Sequence, residues 1–354
     1  CIQIGEAFLK LVIAIILLYY TGVKIRLYAL CMMAVPLFSN SMFIAYCFRN
    51  YQETKITLKA IKRVDLLRQF ASYTGWNLIG GISHLFKTQG ISMLLNTFKG
   101  VAINAAFGIA NQVNSQLQFF SSTIVTATRP QIVKSEGMGN RARMTQVSVT
   151  TCKLTFLMLS VLVAPFISEC GYILKVWLRD VPDYTVPFVQ LFLIGSLLRQ
   201  LYTGVSIGIE SVGSIKYLQI LVGGLHFFVL PVGYLLLRFD FGVLSIFYML
   251  ICEEFLCLIM TTIISKYETN LNVRWFLTGC VIPCITSFVI SFALCYASRY
   301  LEPVEPYRFF LSMFFSIMST MFLSFYYVFD EKEQSIVKSY INLVLNRIKN
   351  KRYE

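Results

Sequence analysis

The chain of 354 residues has few charged side chains, only two histidines and three tryptophans. Charged residues make up 14% of the sequence and its mean hydropathy is +0.66, values that exclude an ordinary soluble domain. Histidine-based catalysis has few candidates, and there is no HExxH motif, phosphate-binding glycine loop or carboxylate group at metal-ligand spacing. We therefore predict that the chain is not an enzyme and uses no cofactor or metal.

Cysteine motifs are lacking as well, because none of the ten cysteines belongs to a CxxC sequence. Most of them lie inside hydrophobic stretches, where a thiol packs as a small apolar group. We predict neither a disulfide framework nor a zinc site.

What the sequence has in abundance is hydrophobic residues, which make up 56% of it and form recurrent runs. A bilayer-spanning helix needs about 20 mostly apolar residues. Ten stretches reach or approach that length: 7–22, 27–48, 72–98, 102–127, 146–166, 186–207, 214–237, 242–265, 275–297 and 307–329. We predict an all-α polytopic membrane protein with about ten transmembrane helices. The chain starts at Cys1 without an initiator Met, and we expect an amino-terminal part to precede it.

The 31 basic residues predict the orientation of these helices. Most of them lie in the loops after the second, fourth, sixth and eighth segments and in the carboxyl tail, so this side should be cytoplasmic. The net charge of +13 is therefore mainly a topology signal, and we expect no nucleic-acid partner.

Two cytoplasmic stretches have apolar residues at helical spacing beside basic ones, a pattern typical of helices on a membrane surface. In the tail they are Ile336, Val337, Tyr340, Ile341, Val344, Leu345 and Ile348. In the linker they are Ile56, Ala60, Val64, Leu67 and Phe70. The tail is expected to be an anchor to anionic lipids with no part in transport.

A run of amides interrupts the fourth segment: Asn104, Asn111, Gln112, Asn114, Gln116 and Gln118. At about 100° per residue, one narrow arc of this helix collects Asn104, Gly108, Asn111, Ser115, Gln118 and Ser122. Polar side chains at membrane depth face protein or a water-filled cavity. Either the amides join helices or they line a pathway, and the pattern alone leaves both open.

The third segment carries a second polar stripe, formed by Asn77, Gly81, His84 and Thr88 with Lys87 beside it. A short turn at 99–100 joins it to the fourth segment, so the two polar faces are expected to line one cavity. Cations with amides suit a ligand that has phosphate and many hydroxyls. The alternative is that Lys87 extends to the membrane surface or pairs with a carboxylate outside this chain.

Four more ionisable residues lie within predicted spans: Arg199, His226 and the adjacent Glu253 and Glu254. Neighbouring helix positions point about 100° apart, so the two glutamates are expected to face different partners. One would pair with Arg199 or His226, and the other would be protonated. A structural ion pair and proton coupling are both possible roles.

Several short strings, in order and spacing, resemble one family. They are Gly75–Leu78, Thr88–Gly90, Leu94–Asn96, Asn104–Ala106, Gly108–Asn114, Pro130–Ser135, Leu174–Leu178 and Val181–Thr185. Together they resemble Wzx-type polysaccharide and O-antigen flippases of the multidrug/oligosaccharidyl-lipid/polysaccharide exporter superfamily. The resemblance covers nearly the whole chain and is strongest over 72–225.

The resemblance implies a MATE-like fold of two six-helix lobes around a central cavity, with two further helices. Residues 1–48 would then end the first lobe, 49–71 form a cytoplasmic amphipathic linker, and 72–265 form the second lobe. The additional helices would occupy 266–329 and a cytoplasmic basic amphipathic tail 330–354.

On this basis the expected function is to move polyprenyl-pyrophosphate-linked oligosaccharides across the bacterial inner membrane by alternating access. The predicted cavity residues are Asn77, His84, Lys87, Asn104, Asn111, Gln118 and Arg129. The cations would attract pyrophosphate, and the amides would bond sugar hydroxyls. H⁺ or Na⁺ is the possible coupling ion, and membrane lipids are the other partners. The alternatives are a multidrug exporter of the same fold and a polysaccharide polymerase or ligase.

Overall fold

A computed structural model describes residues 2–19, 22, 24–51, 54, 64–178, 180–335 and 337–339. Within these ranges the protein is 91% helical and has no strand. Most of the predicted surface helices in the linker and the tail, including Ile56, Ala60, Tyr340 and Ile341, lie outside the described residues.

Twelve α-helices follow one another along the described chain. They are α1 Ile2–Tyr19, α2 Lys24–Asn50, α3 Val64–Lys99, α4 Val101–Gly137, α5 Arg141–Ser168, α6 Cys170–Leu178, α7 Thr185–Val212, α8 Ile215–Arg238, α9 Leu244–Glu268, α10 Val273–Phe276, α11 Ile282–Leu301 and α12 Glu305–Leu323. A π-helical turn, Leu277–Val281, connects α10 to α11, and a second one, Ser324–Val328, follows α12.

Seven helical segments of the described chain are long and apolar enough to cross a membrane. They are Arg26–Asn50, Arg141–Ser168, Thr185–Val212, Ile215–Arg238, Leu244–Glu268, Val273–Leu301 and Glu305–Val328. The protein is therefore all-α, with the apolar helices of a multi-pass membrane protein. Helices α1, α3 and α4 coincide with three more predicted segments, and their crossing of the membrane stays a prediction.

The chain divides into two compact units, Cys1–Phe70 and Ala71–Glu354, which we call unit 1 and unit 2. In unit 1, α1 packs against α2. Within α1, Glu6 and Lys10 lie one helical turn apart and form an ion pair, with 2.7 Å between the carboxylate oxygen and the ammonium nitrogen.

Helix α7 is the centre of unit 2, because it packs against α4, α5 and α9. Its apolar side chains, such as Phe188, Leu193 and Leu201, are fully buried, and Phe188 stacks on Phe247 of α9 with ring centroids 4.2 Å apart. Helix α8 packs on α9, while α11 and α12 pair with each other and with α5. Helix α7 therefore lies between α4 and α9.

The contact between α5 and α7 is close because α7 has a glycine there. A Cβ atom at Gly204 would lie 2.1 Å from the carbonyl oxygen of Ser148. Small residues of this kind let helix backbones approach each other within a membrane protein. The close approach fixes the rotation of α7 near Arg199 and Tyr202, which matters for the site described below.

Two sets of ion pairs hold the α11–α12 pair to α5. Arg308 of α12 binds Glu169, just after α5, through both carboxylate oxygens at 2.9 and 2.7 Å, and Arg299 approaches the same carboxylate. Lys153 of α5 is 1% exposed, and its ammonium lies 2.9 Å from a carboxylate oxygen of Glu333, which follows the last π-helical turn. We call these contacts the α5 clamps.

Candidate functional site

Ionisable side chains from α3, α8 and α9 meet in the interior of unit 2. They are Lys87 of α3, His226 of α8, and Glu253 and Glu254 of α9, each no more than 7% exposed. Together with Tyr202 of α7 they form a group that we call the central cluster. Each lies near the middle of its helix, where a charge without a partner would be very unfavourable.

Lys87 contacts both glutamates. Its ammonium nitrogen lies 2.7 Å from Oε1 of Glu254, and it also donates to Oε2 of Glu253. The prediction that the two glutamates face different partners is therefore wrong. Their side chains do leave α9 in different directions, but the lysine side chain is long and its ammonium carries three donors, so it reaches both carboxylates from between them.

The remaining carboxylate oxygens of the central cluster are also hydrogen-bonded. Tyr202 donates its hydroxyl to Oε2 of Glu254 over 2.6 Å. Oε1 of Glu253 contacts Nδ1 of His226, so the expected pairing of one glutamate with this histidine is present. Cys257 donates to the same oxygen over 3.4 Å. A buried carboxylate with this many partners is stabilised in its charged form.

The ligand atoms of His226, Glu253 and Cys257 lie within 4.8 Å of one another, close enough to hold a metal ion. However, the carboxylate oxygen of this group already accepts hydrogen bonds from the other two residues, and the Lys87 ammonium contacts the same carboxylate. A positive charge at that position opposes a second cation. The geometry therefore fits a hydrogen-bonded cluster better than a metal centre.

Arg199 of α7 lies beside the central cluster but outside its ion pairs. In the part of the chain that the structure describes, it takes part in no ion pair; its guanidinium lies near Glu254 and Tyr202, and its Nη2 is 3.5 Å from Nδ1 of His84. Of the two predicted partners for a glutamate of α9, His226 forms the pair and Arg199 does not. The two oxygens of Glu254 accept hydrogen bonds from the Lys87 ammonium and the Tyr202 hydroxyl.

A cavity of about 140 Å³ opens between α3, α4, α7 and α9, and we call it the inner cavity. Its polar lining is His84, Lys87, Thr88, Asn111, Asn114, Ser115, Gln118, Ser196, Arg199 and Glu254. The polar stripes of α3 and α4 therefore face a common space, as the sequence predicts. Phe192 and Phe247 form part of its apolar wall.

Two of the amides in this lining also connect helices. Gln118 donates to the hydroxyl of Ser196 on α7 over 2.8 Å, and the same hydroxyl contacts Oδ1 of Asn114. Asn111, by contrast, is exposed, and its side chain has no hydrogen bond among the described residues. Some amides of this helix therefore join helices, and Asn111 lines the inner cavity; whether that cavity belongs to a pathway stays a prediction.

A second cavity of about 230 Å³ lies on the other side of the His84–Arg199 contact. It is lined by His84, Arg199 and His226 at one end, and by Gln219 and Glu210 toward the turn between α7 and α8. His84 and Arg199 line both cavities. These two side chains therefore border both spaces.

Three predicted cavity residues lie elsewhere. Asn104 accepts a hydrogen bond of 2.8 Å from Ser92 and so joins α4 to α3, while Arg129 pairs with Glu210 at 2.6 Å. Asn77 is half-buried on α3 and lines neither cavity. Asn77 and Asn104 are each seven residues from a lining residue, about 10 Å along a helix axis. The helical periodicity therefore predicted the correct helix face for Asn77 and Asn104 but not their position along the helix axis.

The sequence also left out several residues of the site. Asn114 belongs to the amide run but lies off the arc that was singled out, and it is more buried than Asn111. Ser196, Tyr202 and the two phenylalanines carried no signal, since hydroxyl and aromatic residues are common in membrane helices.

Comparisons of the chain with protein-family models, with curated proteins and with solved structures find no match. The geometry of the site is therefore the main support for a function.

Proposed function

We propose that the protein is a flippase that carries polyprenyl-pyrophosphate-linked oligosaccharides across the bacterial inner membrane by alternating access. In this proposal it is a transporter rather than an enzyme, with a MATE-like fold of the polysaccharide exporter type and ten transmembrane helices. The sugar head group passes through the protein while the lipid tail stays in the bilayer. H⁺ or Na⁺ would drive the movement.

The observation that supports the proposal most is the lining of the inner cavity. It combines cationic side chains, amides and hydroxyls at the middle of otherwise apolar helices. Such groups are unfavourable at membrane depth unless they face water, protein or a polar ligand. Cations bind phosphate oxygens, and amides donate to and accept from sugar hydroxyls, so the set suits an anionic, hydroxyl-rich head group.

A second candidate is a multidrug exporter of the same fold. It is favoured by the presence of Glu254, Phe192 and Phe247 in the cavity wall, because carboxylates and aromatic faces attract cationic drugs. Glu254, however, already accepts hydrogen bonds from the Lys87 ammonium and the Tyr202 hydroxyl. We prefer the flippase because the acidic group is neutralised whereas Arg199 and Asn111 are open to the cavity.

The two candidates are separated by a complementation experiment in a host from which the chromosomal copy is deleted. Restoration of surface polysaccharide by the wild-type protein, with no gain in resistance to cationic drugs, is the expected result. Asn111→Ala should reduce the polysaccharide severalfold, while Gln116→Ala, an exposed amide outside the cavity lining, should not. Drug efflux without restored polysaccharide would favour the exporter and reject the flippase.

A further inference from the structure

The cationic side chains that line the inner cavity differ in the ion pairs that they form. Lys87 is the cation that the sequence made the strongest candidate for an anionic ligand, but two carboxylates already occupy it. An incoming phosphate would have to displace both glutamates and leave them unpaired in the protein interior, which is strongly unfavourable. Lys87 is therefore poorly suited to be the anion-binding group.

Arg199 has the opposite properties. Its guanidinium lies at the middle of α7, lines both cavities and forms no ion pair within the described ranges. A guanidinium has five N–H donors in a planar fork and stays charged, and it matches the oxygens of a phosphate group in pairs. The contact with His84 at 3.5 Å uses at most one of those donors.

The volume of the inner cavity indicates how much of a ligand fits there. A volume of about 140 Å³ is close to the roughly 150 Å³ of an engineered cavity that holds one benzene molecule. A pyrophosphate group is of that order of size, whereas an oligosaccharide is several times larger. In this conformation the cavity therefore suits the anionic part of a ligand beside Arg199, with Asn111 as a further donor in the same lining.

We propose that Arg199 is the residue that binds the anion of the transported molecule, and that the inner cavity receives a pyrophosphate group against its guanidinium. Lys87 instead compensates Glu253 and Glu254. The proposal rests on the proposed function for the identity of the ligand, a prenyl pyrophosphate. The positions of the charges support the anion site independently of that function.

The test is the binding of inorganic pyrophosphate and of a short-chain prenyl pyrophosphate to purified protein in nanodiscs, measured by calorimetry. Arg199→Gln should weaken both by about 10- to 100-fold, the loss expected for charge-assisted hydrogen bonds. Arg199→Lys should bind each ligand with an affinity between those of the wild type and Arg199→Gln, because lysine keeps the charge but not the planar fork. Arg238→Gln is the matched control, since Arg238 lies at the end of α8 and bonds Tyr234 outside the cavities.

Thermal unfolding of the same samples separates a binding role from a structural one. Arg199 forms no direct ion pair within the described residues, although it lies near Glu254, so Arg199→Gln should lower the midpoint far less than Lys87→Met does. A loss of binding accompanied by a large drop in this midpoint would contradict the proposal. Equal binding by wild type and Arg199→Gln would overturn it, as would equal weakening by Arg238→Gln.

The outcomes also distinguish this site from the proposed function. If the wild type translocates a lipid-linked oligosaccharide but Arg199→Gln binds pyrophosphate normally, the site assignment fails and the function stands. If Arg199-dependent binding is found but no translocation occurs, the anion site stands and the flippase proposal fails. Binding of inorganic pyrophosphate without binding of the prenyl pyrophosphate would reject a lipid as its source.

Discussion

The central cluster and the α5 clamps are both built from buried ion pairs, but they differ in what surrounds them. The clamps join α5 to the α11–α12 pair; Glu169 lies between α5 and α6, and Glu333 lies in a helical turn after the second π-helical turn. The central cluster lies at the middle of its helices and borders a polar cavity. Similar pairs therefore serve packing in one region and border a polar cavity in the other.

Replacing each of the two buried lysines, Lys87 and Lys153, by Met should test the difference between the two regions most clearly. Lys87→Met removes the cation shared by two carboxylates that are 5% and 7% exposed. Leaving buried charges without a partner costs about 3–5 kcal/mol, and we expect a loss of that size in the free energy of unfolding. Thermal unfolding in detergent measures it, and an unchanged midpoint would contradict the account.

A rescue experiment sharpens this prediction. Adding Glu253→Gln and Glu254→Gln to the Lys87→Met variant removes the uncompensated charges and should recover much of the lost stability. If the triple variant unfolds at the same temperature as the single variant, charge compensation is not the reason for the loss.

A smaller effect is expected at the Glu169 clamp. Glu169→Gln weakens two charged hydrogen bonds to Arg308, and a loss of about 1–3 kcal/mol follows, because the amide keeps one acceptor oxygen and Arg299, 42% exposed, can turn to water. The thermal midpoint again gives the measurement. Glu305→Gln, an exposed acid in the first turn of α12, is the control and should leave the midpoint unchanged.

Lys153→Met should have a weaker effect than Lys87→Met, although Lys153 is the more buried of the two lysines. Its nearer acidic partner, Glu333, is 10% exposed in its side chain but keeps a hydrogen bond from Thr150, and the side chain of the second partner, Asp330, is 45% exposed and can regain water. A loss of about 1–2 kcal/mol is expected, below that of Lys87→Met, because these contacts partly compensate the carboxylates left by the lysine. A loss as large as that of Lys87→Met would remove the distinction between the two regions.

The smallest effect is expected at Arg129, whose side chain is 54% exposed in its pair with Glu210. Exposed pairs contribute about 0–1 kcal/mol, so Arg129→Gln should change the unfolding midpoint little. Because Arg129 lies outside the inner cavity, pyrophosphate binding should also be unchanged. Weaker pyrophosphate binding by Arg129→Gln would show that Arg129 contributes to the anion site.

The helices were largely predictable because apolar runs determine where they lie. The segment predicted at 186–207 falls within Thr185–Val212, and that at 242–265 overlaps Leu244–Glu268. The short helix α6 and the two π-helical turns were not foreseen, since they depend on local backbone geometry and packing.

The site was predictable only in part. Periodicity placed His84, Lys87, Asn111 and Gln118 on faces that do line one cavity. The contact of Lys87 with Glu253 was beyond sequence reasoning, because 166 residues separate the two and only the packing of α3 near α9 joins them. The wrong placements of Asn104 and Arg129 have a related cause: a helical arc gives direction around the axis but not which depth the neighbouring helices leave open.

Reconstitution into liposomes tests the central claim most directly. The purified protein is incorporated with a labelled prenyl-pyrophosphate-linked oligosaccharide, and an enzyme outside the vesicles reports how much label reaches the outer leaflet. The account predicts translocation well above that of protein-free liposomes, reduced by Asn111→Ala and unaffected by Gln116→Ala. Translocation at the protein-free rate would contradict it.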